Sequence, residues 1–498
     1  MPDARAAGNK LSASEYAVGQ FRQHRKIEGC RVTDNAKTVS NSAYRRALEL
    51  LWKRSSYERG YVTDPFGGPE AGRRGLRRVA ALLERLGAPQ HRYAIIHIAG
   101  SKGKGSTAAM TEAIVRAAGG RTGLFTSPHL HSFRERIAID GEAMPEADFA
   151  RLANRVEREA RALEAAEPAL GQISTFEFLA AMALLAFAEA NVALAVLEVG
   201  LGGEFDATNT IDPLVSVITR IDLEHTAVLG DTVEQIAAAK AGIIKPSRPI
   251  VVASQPAGVL PVFEAAATQA GAPLLTGDRD WTAIGHWSGF DLTGPWGRYA
   301  DLRLSLPGDH QLENAGAAVA AVWLANRAGF VIDEAAIRAG LAATRWPGRF
   351  ERVAFGGRTV VLDGAHTPAA AAALALALAH AEPGRRAWIA LGRSSDKNAD
   401  VLVAALAPVA AGFIATRALS PRAGDPAPAA RAAEARGLPA EVVEPVAAAV
   451  RRALAAAGDG GLVVVTGSLY VVGEAREALG LAQPDPPWGP PDGAVAKG

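Results

Sequence analysis

A single cysteine, Cys30, stands in 498 residues. The chain can therefore build neither an intramolecular disulfide nor a cysteine-rich metal cluster, a usage that fits a reducing cytosol. An excess of either charge is also missing, since 53 Lys and Arg against 52 Asp and Glu leave a net +1. That balance removes any bulk electrostatic case for nucleic acid or an anionic membrane as the main partner. Residues 1–40 lack the apolar centre of a secretory signal and read as a loose, disordered leader. The longest apolar stretch, Phe178 to Ala195, is alanine-rich, carries Glu189 and Asn191, and runs directly into a β-like segment. It reads as a buried helix rather than a membrane span. No membrane anchor is expected, and the expected compartment is the cytoplasm.

Hydrophobic residues make up 49% of the chain and charged ones 21%, the balance of a globular protein too long for one core. Strand-like runs at Ala94 to Ala99, Gly123 to Phe125, Ala193 to Val199 and Val215 to Ile221 alternate with helical patterns at 147–165 and 176–190. Such interleaving predicts a mostly parallel sheet covered on both faces. The Trp/Gly-rich patch from Trp281 to Trp296 reads as antiparallel hairpins on the same domain, and helices are expected at 314–328 and 333–342. After Trp346-Pro347-Gly348-Arg349 a second αβ series begins, with strands at 359–363, 387–391, 412–415 and 461–466 and helices at 368–379 and 399–406. The fold class is α/β: a large phosphate-loop domain at 41–345 and a smaller, doubly wound, Rossmann-like domain at 346–480. The Pro- and Gly-rich tail, 481–498, is expected to be disordered. No internal repeat is visible.

The chemistry starts at Gly100-Ser101-Lys102-Gly103-Lys104-Gly105-Ser106-Thr107, which follows an apolar strand and opens a helix. Glycines let backbone N–H groups approach phosphate oxygens, the helix start adds a positive dipole end, and Lys104 can neutralise phosphate charge. The loop nominates a nucleoside triphosphate. Thr126-Ser127-Pro128-His129 follows a short strand. There Ser127 can offer its hydroxyl to Mg²⁺ and His129 can touch a phosphate, although taken by itself the segment reads first as a Ser-Pro turn. Glu198 closes an apolar strand just before Gly200, Gly202 and Gly203. A carboxylate placed there wants a hard cation or a basic side chain. Downstream lie Glu224-His225, with His225 a candidate second metal ligand, and Lys240 on a helix predicted over 233–244. A lysine among alanines ordinarily reaches for solvent. Asp363-Gly364-Ala365-His366-Thr367-Pro368 repeats the strand-end carboxylate in the second domain, and Arg349 sits at the junction. From there it can reach a γ-phosphate when the domains close, or serve in an interdomain ion pair.

Taken in order, His97 to Ser106, Thr126 to Leu130, Glu135-Arg136-Ile137, Thr175 to Phe178, Leu197 to Gly203, Glu224-His225, Lys240 to Ile244, His310 to Ala315, Gly348-Arg349, Asp363 to Pro368 and Gly467 to Tyr470 resemble one family. It is the folylpolyglutamate synthase and dihydrofolate synthase family of the Mur ligase superfamily, and the similarity covers roughly Ala43 to Leu479. The resemblance implies a monomeric ATP-dependent ligase with Mg²⁺. A folate or dihydropteroate carboxylate takes the γ-phosphoryl group of ATP, and the amine of L-glutamate then displaces phosphate. By the same resemblance Gly100, Gly103, Lys104, Gly105, Ser106 and Thr107 hold phosphates, and Asn314 lies near adenine. Arg349 reaches ATP across the junction. Ser127 and Glu198 bind one Mg²⁺, and His225 joins Glu198 around a second. Lys240 matches a lysine often carried as a carbamate, while Asp363 and His366 match the turn near nucleotide and incoming glutamate.

Three departures from the family pattern stand out. Ser101-Lys102 replaces the usual Thr-Asn, Thr367 replaces an Asn, and Asn398 stands where a second Asp is common. Two rival readings are another Mur-type amide ligase acting on a cell-wall nucleotide precursor, and an ATP-binding regulatory module without ligation. The roughly 40 residues before the core are too few for the extra domain of the first rival. Retention of Glu198, His225, Lys240 and Asp363 together speaks against the second.

Overall fold

Short runs of Val, Ile, Leu and Ala that are apolar on both faces suit central parallel strands, which helices must cover on either side. In the computed structural model, which describes residues 34–54 and 67–486, eight such runs form one sheet. They are β1 (Ala94–Ala99), β2 (Thr122–Phe125), β3 (Ile137–Ile139), β4 (Glu142–Ala143), β5 (Leu194–Glu198), β6 (Val215–Ile218), β7 (Ile250–Val252) and β8 (Leu274–Thr276). The spatial order is β4, β3, β2, β5, β1, β6, β7, β8. β1 lies between β5 and β6, parallel to both, and only β3 and β4 pair antiparallel. The loops after β1, β2, β5 and β6 consequently open at one edge, where ligands bind in sheets of this kind.

Helix Thr175–Glu189 covers one face. Its apolar side is almost continuous, and Phe178, Leu184 and Phe187 are buried with Phe125 and Phe149. Helices Lys104–Ala117, His310–Arg327 and Glu334–Ala343 cover the other, burying Met110, Ile114, Val319 and Leu341. The Trp/Gly patch forms the expected antiparallel sheet, β9 (Thr282–His286), β10 (Gly289–Gly294) and β11 (Gly297–Leu302), with Phe290 and Leu292 joining that second core.

The second unit is a six-stranded sheet of β12 (Glu351–Phe355), β13 (Arg358–Leu362), β14 (Ala387–Leu391), β15 (Ala410–Ala415), β16 (Ala440–Val442) and β17 (Leu462–Thr466). Its order is β12, β13, β17, β14, β15, β16, with only β12 antiparallel. Helices on both faces make it doubly wound. Helix Leu469–Ala478 docks it against the segment after β2: Arg476 donates to His131 Nε2 at 3.1 Å, and Glu477 lies 3.2 Å from His131 Nδ1. Arg476 also pairs with Glu351.

Several expected boundaries move. Helix Asp34–Arg54 begins inside the expected leader, because Tyr44, Ala47, Leu48 and Leu51 pack into the core and carry a helix whose first turns are polar. Residues 1–33 of that leader, and 60–66 of the turn-rich loop, lie outside the described residues. The expected strand 215–221 stops at Ile218, since Arg220 turns its carbonyl to the phosphate loop. The helix expected from 314 starts at His310, and the one over 233–244 ends at Ala241. The tail expected to be disordered from 481 is in place through 486. Asp485 accepts from Tyr44 Oη at 2.6 Å and from the Phe133 N–H at 2.9 Å.

Candidate active site between the two units

The loop after β1 bends where only glycine fits. Gly100 has φ +144°, and a methyl group on it would stand 1.9 Å from Thr219 Oγ1. Gly103, at φ +87°, leads helix Lys104–Ala117, and a methyl there would strike Asn314 Oδ1 at 2.1 Å. The N–H groups of Ser101 and Lys102 donate to Arg220 O, and the Ser101 hydroxyl donates to Asp222 O at 2.9 Å. The loop is thus pinned to the segment after β6, and, as at any helix start, the first N–H groups of the helix lack intrahelical partners and suit an anion. Ser106 and Thr107 are buried in the first turn. Asn314 braces the loop from helix His310–Arg327: its Oδ1 accepts from Thr107 Oγ1 at 3.4 Å and its amide donates to Gln311 at 2.8 Å.

Two ammonium groups converge on one carbonyl. Lys104 Nζ donates to Gly100 O at 2.9 Å and Lys240 Nζ donates to the same oxygen at 2.8 Å. Lys240 is 1% exposed, so it does not reach solvent as a lysine among alanines would. It pairs with Glu224 Oε1 at 2.9 Å. Burial, with the charge of Lys104 beside it, lowers the Lys240 pKa to about 8. Burial pushes Glu224 upward, but Lys104 and Lys240 outweigh it and hold the carboxyl below the usual range.

Glu198 ends β5 at 5% exposure, and its Oε2 accepts from the Ser127 N–H at 3.2 Å. Desolvation raises its pKa, against the pull of Lys104 and Arg349. Two of the expected metal ligands are therefore joined directly. The third, His225, lies beyond β6 in a left-handed conformation with φ +47°, close enough to Glu224 and Lys104 to feel both charges. Among the described residues no basic side chain forms an ion pair with Glu198. A buried carboxylate without an ion pair is an oxygen donor suited to Mg²⁺, while the His225 side chain makes no hydrogen bond or ion pair to Glu198 among the described residues.

Across the crevice the second unit contributes its own turn. Asp363 ends the strand and accepts from the N–H groups of Phe350 and Ala365 at 2.7 and 2.8 Å, tying the junction to the turn. Burial raises its pKa, opposed by Arg349 and His310. His366 Nδ1 lies 2.8 Å from Gly364 O. A carbonyl only accepts, so Nδ1 carries the proton and Nε2 presents a lone pair. Burial lowers the His366 pKa, and the charges of Lys102, Arg349 and Lys397 add to that effect. Arg349 acts on Glu198, Asp363 and His366, bridging the two halves electrostatically.

Contacts thus join Lys104, Lys240 and Gly100, Glu198 and Ser127, and Asp363 and the junction at Phe350. His129 stands apart from them: its Nδ1 accepts from Arg136 at 2.8 Å and its ring packs on Phe133, which ties it to the segment after β2. The reading of isolated motifs missed Asp206, which accepts from Gly200, Leu201 and Thr208 and shapes the glycine turn after Glu198. An Asp six residues after a strand-end glycine was the available signal. It also missed Trp346, whose ring lies over Gly105. Thr367 and Asn398 both cap helices, accepting from Ala370 and Asp400 N–H groups. That is a job their family counterparts can share.

Residues 98–322 match the Mur ligase middle domain, and residues 348–469 match the Mur ligase glutamate ligase domain. The chain is 38% identical over 438 residues to the dihydrofolate synthase/folylpolyglutamate synthase of Mycobacterium tuberculosis, covering 81% of this chain and 90% of that one. It is 38% identical over 415 residues to a probable bifunctional folylpolyglutamate synthase/dihydropteroate synthase of Haloferax volcanii, and spans 48% of that longer protein. In three dimensions it is similar to M. tuberculosis folylpolyglutamate synthase complexed with ADP, at 36% identity and a TM-score of 0.79, covering 90% of this chain and all of that one.

Proposed function

The chain belongs to the folylpolyglutamate synthase/dihydrofolate synthase family of Mur ligases, and from that premise we propose that it joins L-glutamate to the carboxylate of a tetrahydrofolate or of dihydropteroate, consuming ATP and releasing ADP and phosphate. One observation carries the reading: Lys104 of the phosphate loop and Arg349 of the junction both act on the buried Glu198, and Arg349 acts as well on Asp363 and His366 of the second unit. A nucleotide-binding module alone has no use for the second half of that arrangement.

In this reading Gly100, Gly103, Gly105, Ser106 and Thr107 shape the phosphate cradle, and Lys104 exchanges the Gly100 carbonyl for a phosphate oxygen. Arg349 stabilises charge on the transferring group from the far side. Asn314 sets the loop at the nucleotide end. Ser127, Glu198 and His225 would hold Mg²⁺, which when bound would supply positive charge against the phosphates. Lys240 is suited to carry a carbamate because a lysine amine near pKa 8 is partly neutral at physiological pH. His366, with its Nε2 lone pair exposed, and Asp363 orient the incoming glutamate amine. Glutamate then displaces phosphate from an acyl phosphate, a better leaving group than hydroxide, while the closed crevice keeps water out. A monomeric, cytoplasmic enzyme belongs to the same proposal, resting on the family resemblance and the lone cysteine.

Phosphate release measured with ATP, glutamate and either dihydropteroate or tetrahydrofolate tests this. At least one pterin should support turnover. Lys104→Ala should lower kcat by about 10²–10³-fold with an unchanged circular dichroism spectrum. A fully active Lys104→Ala protein, or phosphate release independent of both pterins, would overturn the reading.

A further inference from the structure

Away from the crevice, three ligand-bearing side chains from distant parts of the sequence meet. His286 ends β9, Asp309 immediately precedes helix His310–Arg327, and His380 lies in the last turn of helix Pro368–Ala381 in the second unit. His286 Nε2 is 3.1 Å from His380 Nδ1 and 3.6 Å from Asp309 Oδ1, and all three donor atoms lie within 4.8 Å of one another. Around a tetrahedral Zn²⁺ with ligand bonds of about 2.0–2.2 Å, neighbouring ligand atoms stand roughly 3.3–3.6 Å apart. The observed edges bracket that spacing. Among the described residues this is the one group of three His, Cys, Asp or Glu side chains so disposed.

The surroundings support a ligand set over a chance meeting. The other ring nitrogen of His286, Nδ1, lies 3.1 Å from Ser288 Oγ. Such a bond fixes the ring and aims Nε2 at the cluster, as partners of metal-bound imidazoles do. The Trp287 ring packs on His286 with centroids 3.6 Å apart and lies 5.9 Å from His380, walling one side. A single proton serves the three groups only in part: with Ser288 donating to Nδ1, the Nε2–H of His286 donates to Asp309 or to His380 Nδ1 and leaves the other to water. A cation satisfies all three at once. Two imidazoles and one carboxylate favour a divalent first-row transition metal over Mg²⁺, which prefers oxygen.

We propose that His286, Asp309 and His380 form a binding site for a zinc-class divalent transition metal that bridges the two units of the chain. Its fourth position is open to solvent, since Asp309 and His380 are exposed. Because His286 and Asp309 come from the first unit and His380 from the second, metal bound to all three favours the arrangement that brings them together.

The test uses the full chain without an affinity tag, in excess Mg²⁺. Zn²⁺ affinity is measured by competition with a chromophoric chelator, and Co²⁺ substitution is followed by visible absorption. The expected result is one ion per chain with the intense visible bands of low-coordinate Co²⁺. His286→Ala and His380→Ala should each weaken Zn²⁺ at least tenfold and abolish those bands, with ligase activity in Mg²⁺ and no added Zn²⁺ unchanged. Equal affinity and an unchanged spectrum in both variants would overturn the site. Loss in His286→Ala with full retention in His380→Ala would overturn the bridge between units.

Discussion

Two lysines donating to a single carbonyl, that of Gly100, show what a residue's chemistry owes to its neighbours. Lys104 announced itself by glycine spacing, because a phosphate loop is local in sequence. Lys240 did not: its run of alanines describes an exposed helix face, and only the approach of Glu224 and Gly100 makes it a buried cation. His97 is the opposite case, a polar residue that the strand pattern hides. It is buried in β1, its Nε2 lies 2.8 Å from Thr208 Oγ1, and its Nδ1 has no partner among the described residues. Thr208 spends its own proton on Asp206, so His97 Nε2 is the donor. Desolvation, with Lys245 nearby, lowers its pKa to about 3. The folded state therefore refuses a proton that the unfolded chain accepts near the ordinary histidine pKa of about 6.5. Stability attributable to His97 is present above that value and falls by up to about 1.4 kcal/mol per pH unit below it. Urea midpoints measured from pH 7 to 4 should fall less steeply for His97→Gln than for the parent. Parallel curves would refute this assignment.

At the scale of elements, strands were the easiest to read, since β1, β5 and β14 are apolar runs bounded by polar or glycine residues. Helices Ala427–Glu434, Val446–Ala457 and Leu469–Ala478 were not foreseen. Alanine-rich stretches carry little periodicity, and the helices are defined by the sheet they cover. The helix pair beside the phosphate loop depends on one close contact. A methyl group on Gly340 would sit 2.4 Å from Ile114 Cα, against backbone that cannot rotate away. Gly340→Ala should force helix Glu334–Ala343 off helix Lys104–Ala117, costing about 1–3 kcal/mol. Thermal unfolding should show a lowered midpoint, and the KM for ATP should rise because helix Lys104–Ala117, which carries the phosphate cradle at its start, loses the neighbour packed against it. An unchanged midpoint would mean that the helices slide without loss.

For the whole molecule, the two-part division was visible in the break at Trp346-Pro347-Gly348 and in the restart of strand and helix patterns. The docking of the units was not. His131, Arg476 and Glu477 meet across more than 340 residues, and no local pattern marks such a partnership. The same holds for Trp346. A methyl group placed on Gly105 would come 2.9 Å from its Cζ2 atom, so the indole of the connecting segment is laid directly over the first turn of the phosphate-loop helix. An indole in that position reports on its surroundings by light emission. Binding of ADP to the loop should change the fluorescence of the protein, and Trp346→Phe should remove most of that change although seven other tryptophans remain. The segment that joins the two halves would then serve as a built-in optical probe of nucleotide occupancy, with no label attached.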